Sequence, residues 1–371
     1  MSEIGDWVRL SATPGVGCEA AKKLLLAFGL PHHIFSADYT DLKKVVSERQ
    51  AKALCLPPSE ATLALIERTE LWCQEKNNFL LTLADTNYPT NLLEIPDAPI
   101  MLYAKGRIEL FYQPCMAVVG SRNATTQGIN NARQFSENLS QHGLTIVSGL
   151  ALGIDTAAHL GGLEGVGSTI AVIGTGADIV YPARNRDLAH KIADKGCIVS
   201  EYPLGTPAIA SNFPRRNRLI SGLSQGVLVI EAAAQSGSLI TARMALEQGR
   251  DVFAIPGSIH SPLSKGGHLL IKQGAKLVET AQDILEEFDG FDLKCAPTPL
   301  KSDIVINDQT SMTIGTEKSL LLNKMGYDPV HPDELAQRCN MSSGELTSQL
   351  ILLELDGHVE VVPGGLFRRL N

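Results

Sequence analysis

The segment FPRRNRLISGLS, residues 213–224, concentrates positive charge in a way that suits the binding of an anion. Arg215, Arg216 and Arg218 occupy three of four consecutive positions. A guanidinium group can grip a phosphate through two parallel hydrogen bonds. Pro214 is typical of the first turn of a helix, so these arginines would lie near a helix N-terminus, whose free amides also attract anions. The segment therefore predicts a phosphate-binding element.

Three short turns could bring backbone amides to the same anion. Each follows an apolar, strand-like run, and each contains a glycine that would let the backbone approach a ligand closely. Because ligands of open α/β sheets bind at the carboxyl ends of the strands, we expect the turns to converge on one edge. The candidate residues are Gly120, Ser121 and Arg122 in the first turn, Gly149 in the second, and Ser236, Gly237 and Ser238 in the third.

The distribution of charge supports a polymeric anion. The whole chain carries a formal charge of -8, yet residues 110–136, 202–230 and 252–278 contain no Asp or Glu. A positive surface on an acidic body suits a polyanion held in a defined groove. The alternative is that these cations are solvated or pair with acids of other segments. The basic residues concerned are Arg122, Arg133, Arg215, Arg216, Arg218, Lys265, Lys272 and Lys276.

Few aromatic side chains are available for stacking on bases. Aromatic residues make up 5% of the chain, and Phe213 is the main candidate beside the arginines. A protein that relied on stacking alone would need more such platforms. We therefore expect recognition mainly through phosphates, with little dependence on base sequence.

Several other chemistries find little support in the sequence. No G-x-x-x-x-G-K-[ST] motif occurs, and TIAVIGTGAD lacks the third glycine of a dinucleotide fingerprint. We predict no cofactor and, with neither a C-x-x-C nor an H-E-x-x-H motif, no metal. Asp155 and His159, four residues apart, are expected to cap and pack a helix. Glu231 could be catalytic, or could order neighbouring amides at a strand end.

The alternation of apolar runs with helical patterns predicts how these residues are positioned. Residues 1–78 read as a helical domain resembling sterile-alpha-motif or helix-hairpin-helix modules, with TPGVG as an interhelical turn. Residues 79–290 predict a Rossmann-like, doubly wound parallel sheet of the α/β class. Residues 291–313 read as a linker, and residues 314–371, three helices and a β-hairpin, predict a winged helix. The predicted central strands are MAVVG, LTIVSG, TIAVIG, CIVSE, GVLVIEA and DVFAIPG.

The segment GGHLLIKQGAKLV, residues 266–278, is too apolar to be fully exposed to solvent. Part of it must pack into the sheet, and the rest suggests self-association. We expect a homodimer with Leu269, Ile271 and Leu277 in its interface. Apolar runs elsewhere are strand-sized, so no membrane span is expected. Seven dispersed cysteines and the lack of a secretory signal favour the cytoplasm.

Long, ordered motifs of the chain resemble one bacterial family. They are GSRNAT, SGLALGIDTAAH, TIAVIGTGADIVYPARNRDL, SEYPLGTPAIASNFPRRNRLISGLS, VIEAAAQSGSLITARMALEQGRDVFAIPG and GAKLV. Together they look like those of DNA-processing protein A, the DprA/Smf family. The resemblance implies a homodimeric protein of natural transformation that protects incoming single-stranded DNA and loads the RecA recombinase onto it. Carried over by motif, the phosphate pocket would comprise Gly120, Ser121, Arg122, Phe213, Arg216, Asn217 and Arg218.

Two other functions remain open at this point. Rossmann-like nucleotide phosphoribohydrolases also use a glycine-rich turn and a nearby glutamate, so Glu231 and the SGS turn could serve a mononucleotide. The third possible function is that of a passive binding protein that does not load a recombinase. For the winged helix, whose segment 291–371 has 7 basic against 11 acidic residues, we favour a protein contact or a regulatory role.

Overall fold

The structure, a computed structural model, describes residues 2–288, 321–322, 324–325, 329–339 and 341–370. The chain divides into two compact units. The larger holds nearly all of the described residues up to Phe288, and the smaller holds those from Leu321 onwards. The predicted linker, residues 291–313, lies outside the described residues.

Six helices form the N-terminal segment, and short polar caps begin several of them. Ser2 accepts a hydrogen bond from the Gly5 amide, and Ser47 and Gln50 form a reciprocal capping box. The predicted TPGVG turn joins the first two helices. The six are α1 (Glu3–Ala12), α2 (Cys18–Phe28), α3 (Pro31–Ser36), α4 (Tyr39–Val45), α5 (Glu48–Cys55) and α6 (Glu60–Gln74).

A nine-stranded sheet follows, in the order β1-β2-β6-β5-β4-β3-β7-β8-β9. The strands from β3 onwards pair in parallel, whereas β2 pairs antiparallel with β6 and with β1. The Rossmann-like prediction is confirmed, and its six predicted strands are β3 to β8; β1, β2 and β9 were not predicted. The bounds are β1 (Asn78–Thr82), β2 (Met101–Gly106), β3 (Cys115–Val119), β4 (Thr145–Ser148), β5 (Thr169–Val172), β6 (Cys197–Ser200), β7 (Gly226–Val229), β8 (Asp251–Ala254) and β9 (Lys276–Leu277).

Helices cover both faces of this sheet, which explains why the central strands are apolar throughout. Along β3, Ala117 and Val119 belong to one buried cluster, while Met116 and Val118 belong to another on the opposite face. The helices are α7 (Thr90–Leu93), α8 (Thr126–Gln141), α9 (Ile154–Gly162), α10 (Arg186–Lys195), α11 (Asn212–Leu223), α12 (Gly237–Glu247), α13 (Lys265–Lys272) and α14 (Gln282–Leu285), with 3₁₀ turns at Ile108–Tyr112, Ala183–Asn185, Pro262–Ser264 and Glu286–Phe288.

The N-terminal helices and the sheet share a buried cluster. Trp7 and Leu24 of the helices lie in it together with Met101 and Tyr103 of β2. The Thr69 and Tyr103 hydroxyl groups are 3.2 Å apart, within hydrogen-bonding distance. Because the helices and the sheet share this core, they belong to one compact unit. The predicted domain boundary near residue 78 stays a prediction.

Within its described residues, the smaller unit contains a β-hairpin and two helices whose bounds the structure gives. They are α15 (Pro332–Cys339), α16 (Ser343–Leu355), β10 (Val359–Val362) and β11 (Leu366–Arg369). Ser342 and Glu345 form a capping box that begins α16. Gly364 and Gly365 adopt positive φ angles in the turn of the hairpin. Of the predicted first helix of this unit, the described residues 321–322 and 324–325 are helical.

Candidate functional site

The connectivity of the sheet places a cleft beside β3. From β3 the chain continues through β4, β5 and β6 on one side, and β7, β8 and β9 lie on the other. Ligands of doubly wound sheets bind outside the carboxyl ends of the strands at such a reversal. A cavity of about 630 Å³ lies there, lined by the turns after β3 and β7 and by the start of α11.

The turn after β3 forms one wall of the cavity through Gly120, Ser121 and Arg122. The Ser121 hydroxyl accepts a hydrogen bond from the Asn123 amide (3.1 Å), which fixes the shape of the turn. A Cβ atom on Gly120 would lie 2.6 Å from Ile154 Cγ1, so only glycine lets β3 turn this close to α9. Because Gly120 and Ser121 are small, the Arg122 side chain is the longest group that this turn contributes to the cavity.

The turn after β7 forms the facing wall. Ser236, Gly237 and Ser238 line the cavity at the start of α12, an eleven-residue helix. The Ser236 hydroxyl accepts a hydrogen bond from the Ser238 amide (3.3 Å). A Cβ atom on Gly237 would meet no other atom within 4 Å, so the backbone is open to the cavity here. A helix N-terminus with small polar residues is a favourable place for an anion.

The first turns of α11 supply the third wall through Phe213, Arg216 and Asn217. Arg216 is buried, and its Nη1 donates hydrogen bonds to the carbonyl oxygens of Gly149 (2.7 Å) and Val172. Burial lowers the pKa of Arg216 to about 10, although the Asp155 carboxylate opposes the shift. The group therefore stays charged at neutral pH.

Gly149, predicted to be a ligand-binding residue, is not among the residues that line the cavity. Its amide donates to Asp155 Oδ2 (3.1 Å), so this amide serves the protein and is not turned towards a ligand. A Cβ atom here would lie 2.6 Å from Arg216 Nη1 and 2.7 Å from Asp155 Oδ2. Glycine is needed at this position because the two buried charged groups approach the backbone.

Arg218, also predicted to contact phosphate, does not line the cavity and is held by acidic side chains of the protein. Its Nη1 and Nη2 each donate to Glu201 at 2.7 Å, and its Nε donates to Asp97 at 2.6 Å. The side chains of Arg218 and Glu201 are both 5% exposed. Burial alone would lower the pKa of Arg218, but the hydrogen bonds and charge of Glu201 raise it above its usual value. This guanidinium joins α11 to the end of β6.

Arg215 and Lys265 also lie outside the cavity lining. Arg215 is exposed, with Nη2 3.9 Å from Glu201 Oε2, and Lys265 donates its Nζ proton to the Ile259 carbonyl. The predicted single positive surface is thus divided, because several of its cations pair with acids of other segments. Two further pairs are Arg133 with Glu164 at 3.9 Å and Lys276 with Glu287 at 2.6 Å.

Tyr181 lines the cavity but was not predicted from the sequence. Its ring centroid lies 5.5 Å from that of Phe213. The Phe213 ring also contacts Arg122, whose Cζ atom lies 5.9 Å from the ring centroid. The cavity thus combines an aromatic pair with a cation. A tyrosine more than thirty residues before Phe213 carries no spacing signal that could have joined the two.

His159 packs α9 against the sheet, as the sequence predicts, whereas Asp155 does not cap that helix: it accepts hydrogen bonds from the Gly149 and Ala151 amides, which precede α9, and it lines the cavity. His159 Nε2 accepts a hydrogen bond from the Leu150 amide (3.2 Å), and Nδ1 donates to Thr169 Oγ1 (2.7 Å), which itself donates to the Ile146 carbonyl. Burial lowers the pKa of His159 to about 3. This imidazole is therefore neutral and ties α9 to the sheet.

Glu231 lies close to the first turn of α8 and is not among the residues that line the cavity. A Cβ atom on Gly128 would overlap its carboxyl group. Within the described ranges, no cluster of three or more His, Cys, Asp or Glu side chains is arranged to hold a metal ion. In the same part of the chain, no helix combines the length and apolarity needed to cross a membrane.

Two family models match the chain. The family model described as DNA recombination-mediator protein A matches residues 79–289, and the one described as DprA winged helix domain matches residues 310–365. The chain belongs to the DNA-processing protein A family, DprA/Smf. Relatives in this family include Protein Smf of Escherichia coli K12, 43% identical over 82% of this chain and 80% of the relative. Protein Smf of Synechocystis is 34% identical over 99% of both chains.

Solved structures of DprA proteins share the fold of the larger unit. The protein from Streptococcus pneumoniae superposes with a TM-score of 0.66 at 38% identity, covering 77% of this chain and 98% of that one. DNA processing protein A from Helicobacter pylori gives a TM-score of 0.52 at 30% identity, covering 56% and 95%. The Helicobacter structure is described as showing a single-stranded DNA binding mode.

Proposed function

We propose that the chain binds single-stranded DNA in the cavity beside β3. The observation that carries this is the meeting of Arg122, the turns after β3 and β7, and the Tyr181–Phe213 pair in one cavity. The amides and Arg122 suit a phosphate, and the two rings suit an unstacked base. The Helicobacter pylori relative, described as binding single-stranded DNA, supports the same substrate class.

Single strands fit this arrangement better than duplexes. A base held between paired strands cannot stack on the aromatic rings of the cavity without leaving its own stack. The other contacts are to phosphates, which carry no base sequence. The function that follows is binding with little sequence preference.

Fluorescence anisotropy with single- and double-stranded oligonucleotides of several lengths tests this. If about five phosphates are neutralised, the slope of log affinity against log salt should be about -3.5. Affinity should rise with oligonucleotide length and be weaker for duplexes. A flat salt response, or equal affinity for duplex DNA, would contradict the proposal.

A nucleotide phosphoribohydrolase is the second candidate, and the geometry favours it less. Its expected catalytic group, Glu231, is outside the lining, and Asp155, the one carboxylate among the lining residues, accepts hydrogen bonds from two backbone amides. We therefore infer binding without catalysis. Incubation with nucleoside 5′-monophosphates, followed by chromatography for free base, distinguishes the two; release of base that depends on Glu231 would favour the hydrolase.

We further propose that the chain forms a homodimer through α13 and β9. Leu269 and Leu277 are both about half-exposed, and β9 is the last strand of the sheet. Ile271, the third predicted anchor, packs partly against the main core, so it is a poorer choice for a disruptive change. A two-fold dimer would carry two cavities, and a long strand could engage both.

The double change Leu269→Glu, Leu277→Glu should place like charges across this interface and separate the protomers. Light scattering reads the mass, and Leu63→Glu, at an exposed leucine of α6, is the matched control. Short oligonucleotides should bind as before, whereas long strands should bind more weakly. A folded double variant that keeps the dimer mass would place the interface elsewhere.

The remaining proposal follows from family membership: protection of incoming DNA and loading of RecA in the cytoplasm during natural transformation. No nucleotide-binding G-x-x-x-x-G-K-[ST] motif occurs in the chain, so ATP hydrolysis would belong to the recombinase. Loading is tested by the rate at which RecA assembles on DNA coated with single-strand binding protein. An unchanged rate in the presence of this protein would leave a passive binding protein as the function.

A further inference from the structure

The helix α16 presents apolar side chains on two faces. Leu346, Leu350 and Leu353 are buried in the core of the smaller unit. On the exposed side, Leu352 is 50% exposed and Leu355 is 79% exposed. In winged-helix and related DNA readers, the corresponding second helix of the pair enters the major groove.

The exposed apolar residues are grouped along the helix. Ile351, Leu352 and Leu355 lie at i, i+1 and i+4, so they form one stripe near the C-terminal end of α16. Val361, on the strand that follows, is also exposed. Single exposed leucines are ordinary, but a grouped set marks an interaction surface. We call Ile351, Leu352 and Leu355 the α16 face.

Charge around the α16 face opposes nucleic acid. Residues 339–367 contain no Lys or Arg, whereas Glu345 and Glu354 lie within α16. The two arginines of β11 are engaged in the unit's own structure. Arg368 Nε donates to Glu360 (2.8 Å), and Arg369 Nη1 donates to the Leu322 carbonyl (3.1 Å). A helix that entered a groove would need cations beside the phosphates.

We propose that the α16 face docks a protein partner through an amphipathic helix that carries Lys or Arg beside its apolar side chains. Glu354, three residues after Ile351, is exposed at the edge of the stripe and supplies the complementary charge. A second copy of the same face, related by a two-fold axis, would bring Glu354 near its own copy and be repelled. Helix-in-groove binding of this kind is read through anchors at i, i+3 and i+4.

Peptide display on the full-length chain tests the proposal. A library of random sixteen-residue peptides is selected on the wild-type protein, after removal of peptides that bind the Leu352→Glu, Leu355→Glu variant. Selected peptides should place Lys or Arg beside leucine-like residues at helical spacing. Their affinity, measured by anisotropy, should fall at least about tenfold in the double variant.

A charge exchange provides the specific readout. Glu354→Lys should weaken a basic selected peptide about two- to fivefold, because an exposed ion pair is modest. A peptide with Glu in place of its Lys should then regain affinity. The control is Leu63→Glu, which should bind the selected peptides like the wild type.

Four results would overturn the proposal. They are the absence of enrichment over the double variant, the selection of acidic peptides, duplex DNA binding that falls when the α16 face is changed, and a loss of oligomer mass in the double variant.

Discussion

Helices α11 and α16 differ in what their sequences offer and in what the fold does with it. Each is the helix of its unit that nucleic acid would be expected to contact. In α11, three arginines occupy four positions, but one lines the cavity, one is paired with the buried Glu201 and the exposed Asp97, and one is exposed outside the cavity. In α16 there is no basic residue, and the exposed stripe is apolar.

The charge of a segment therefore does not determine the charge of a site. A cation serves a ligand only where the packing of neighbouring elements leaves it open to the site. Arg216 and Arg218 are two residues apart on a helix, so they point to different sides of α11. One faces the cavity and the other faces Glu201.

The largest effect should come from Arg218→Met, which tests the committed cation of α11. It would leave Glu201 buried without its partner, and breaking a buried pair in this way costs about 3–5 kcal/mol of unfolding free energy. Urea denaturation measures the loss, and the exposed neighbour Arg215→Met is the control. Glu201→Met in the same chain should restore part of the stability. A variant that kept its stability but lost DNA binding would make Arg218 a ligand contact.

Next in size is Arg122→Ala, which removes the cation facing α11 across the cavity. The loss of a charged hydrogen-bond pair should weaken single-stranded DNA binding by about 1.5–3 kcal/mol. Thermal melting should be unchanged. Arg133→Ala, at an exposed arginine outside the cavity, should bind like the wild type. Normal affinity in a folded Arg122→Ala protein would place the site elsewhere.

The neutral His159 gives the larger unit a dependence on pH. Its pKa of about 3 in the folded state lies below the value of about 6.5 expected when unfolded. Between these values the unfolded state binds the extra proton, so stability is complete above about pH 6.5 and falls on acidification, by up to about 1.4 kcal/mol per pH unit. Burial raises the pKa of Asp155, which acts in the opposite direction.

Comparison of variants isolates the histidine from other groups. His159→Gln should flatten the acid limb of the unfolding free energy measured against pH, whereas the exposed His190→Gln should leave it unchanged. An identical acid limb in wild type and His159→Gln would show that another group titrates.

The smallest effect is expected for the winged helix, where we predict that a change in β11 does not alter duplex DNA binding. Changing Arg369→Gln in β11 should leave duplex DNA binding at its background value, because this guanidinium donates to the Leu322 carbonyl. Electrophoretic mobility shifts with duplex oligonucleotides measure it, with Arg122→Ala run in parallel on single strands. A clear fall in duplex affinity would return the winged helix to the class of DNA-binding elements.

Much of the fold was accessible from the sequence. Strands β3 to β8 were readable because a parallel sheet covered on both faces needs unbroken apolar runs, and the turns after them contain glycine. Strands β1 and β2 were missed because they pair antiparallel at the side of the sheet, beyond the repeating strand–helix pattern.

The sequence by itself determined the α/β class, the edge of the sheet where a ligand would bind, and the residue types that could hold a phosphate. Those follow from local periodicity and from short turns, which depend on neighbours in the chain. Only the tertiary structure decided that Arg216 faces the cavity, that Arg218 pairs with Glu201, and that Tyr181 joins Phe213. The physical reason is that each of these outcomes depends on a group from a distant segment, and side-chain direction and pairing are set by packing between elements.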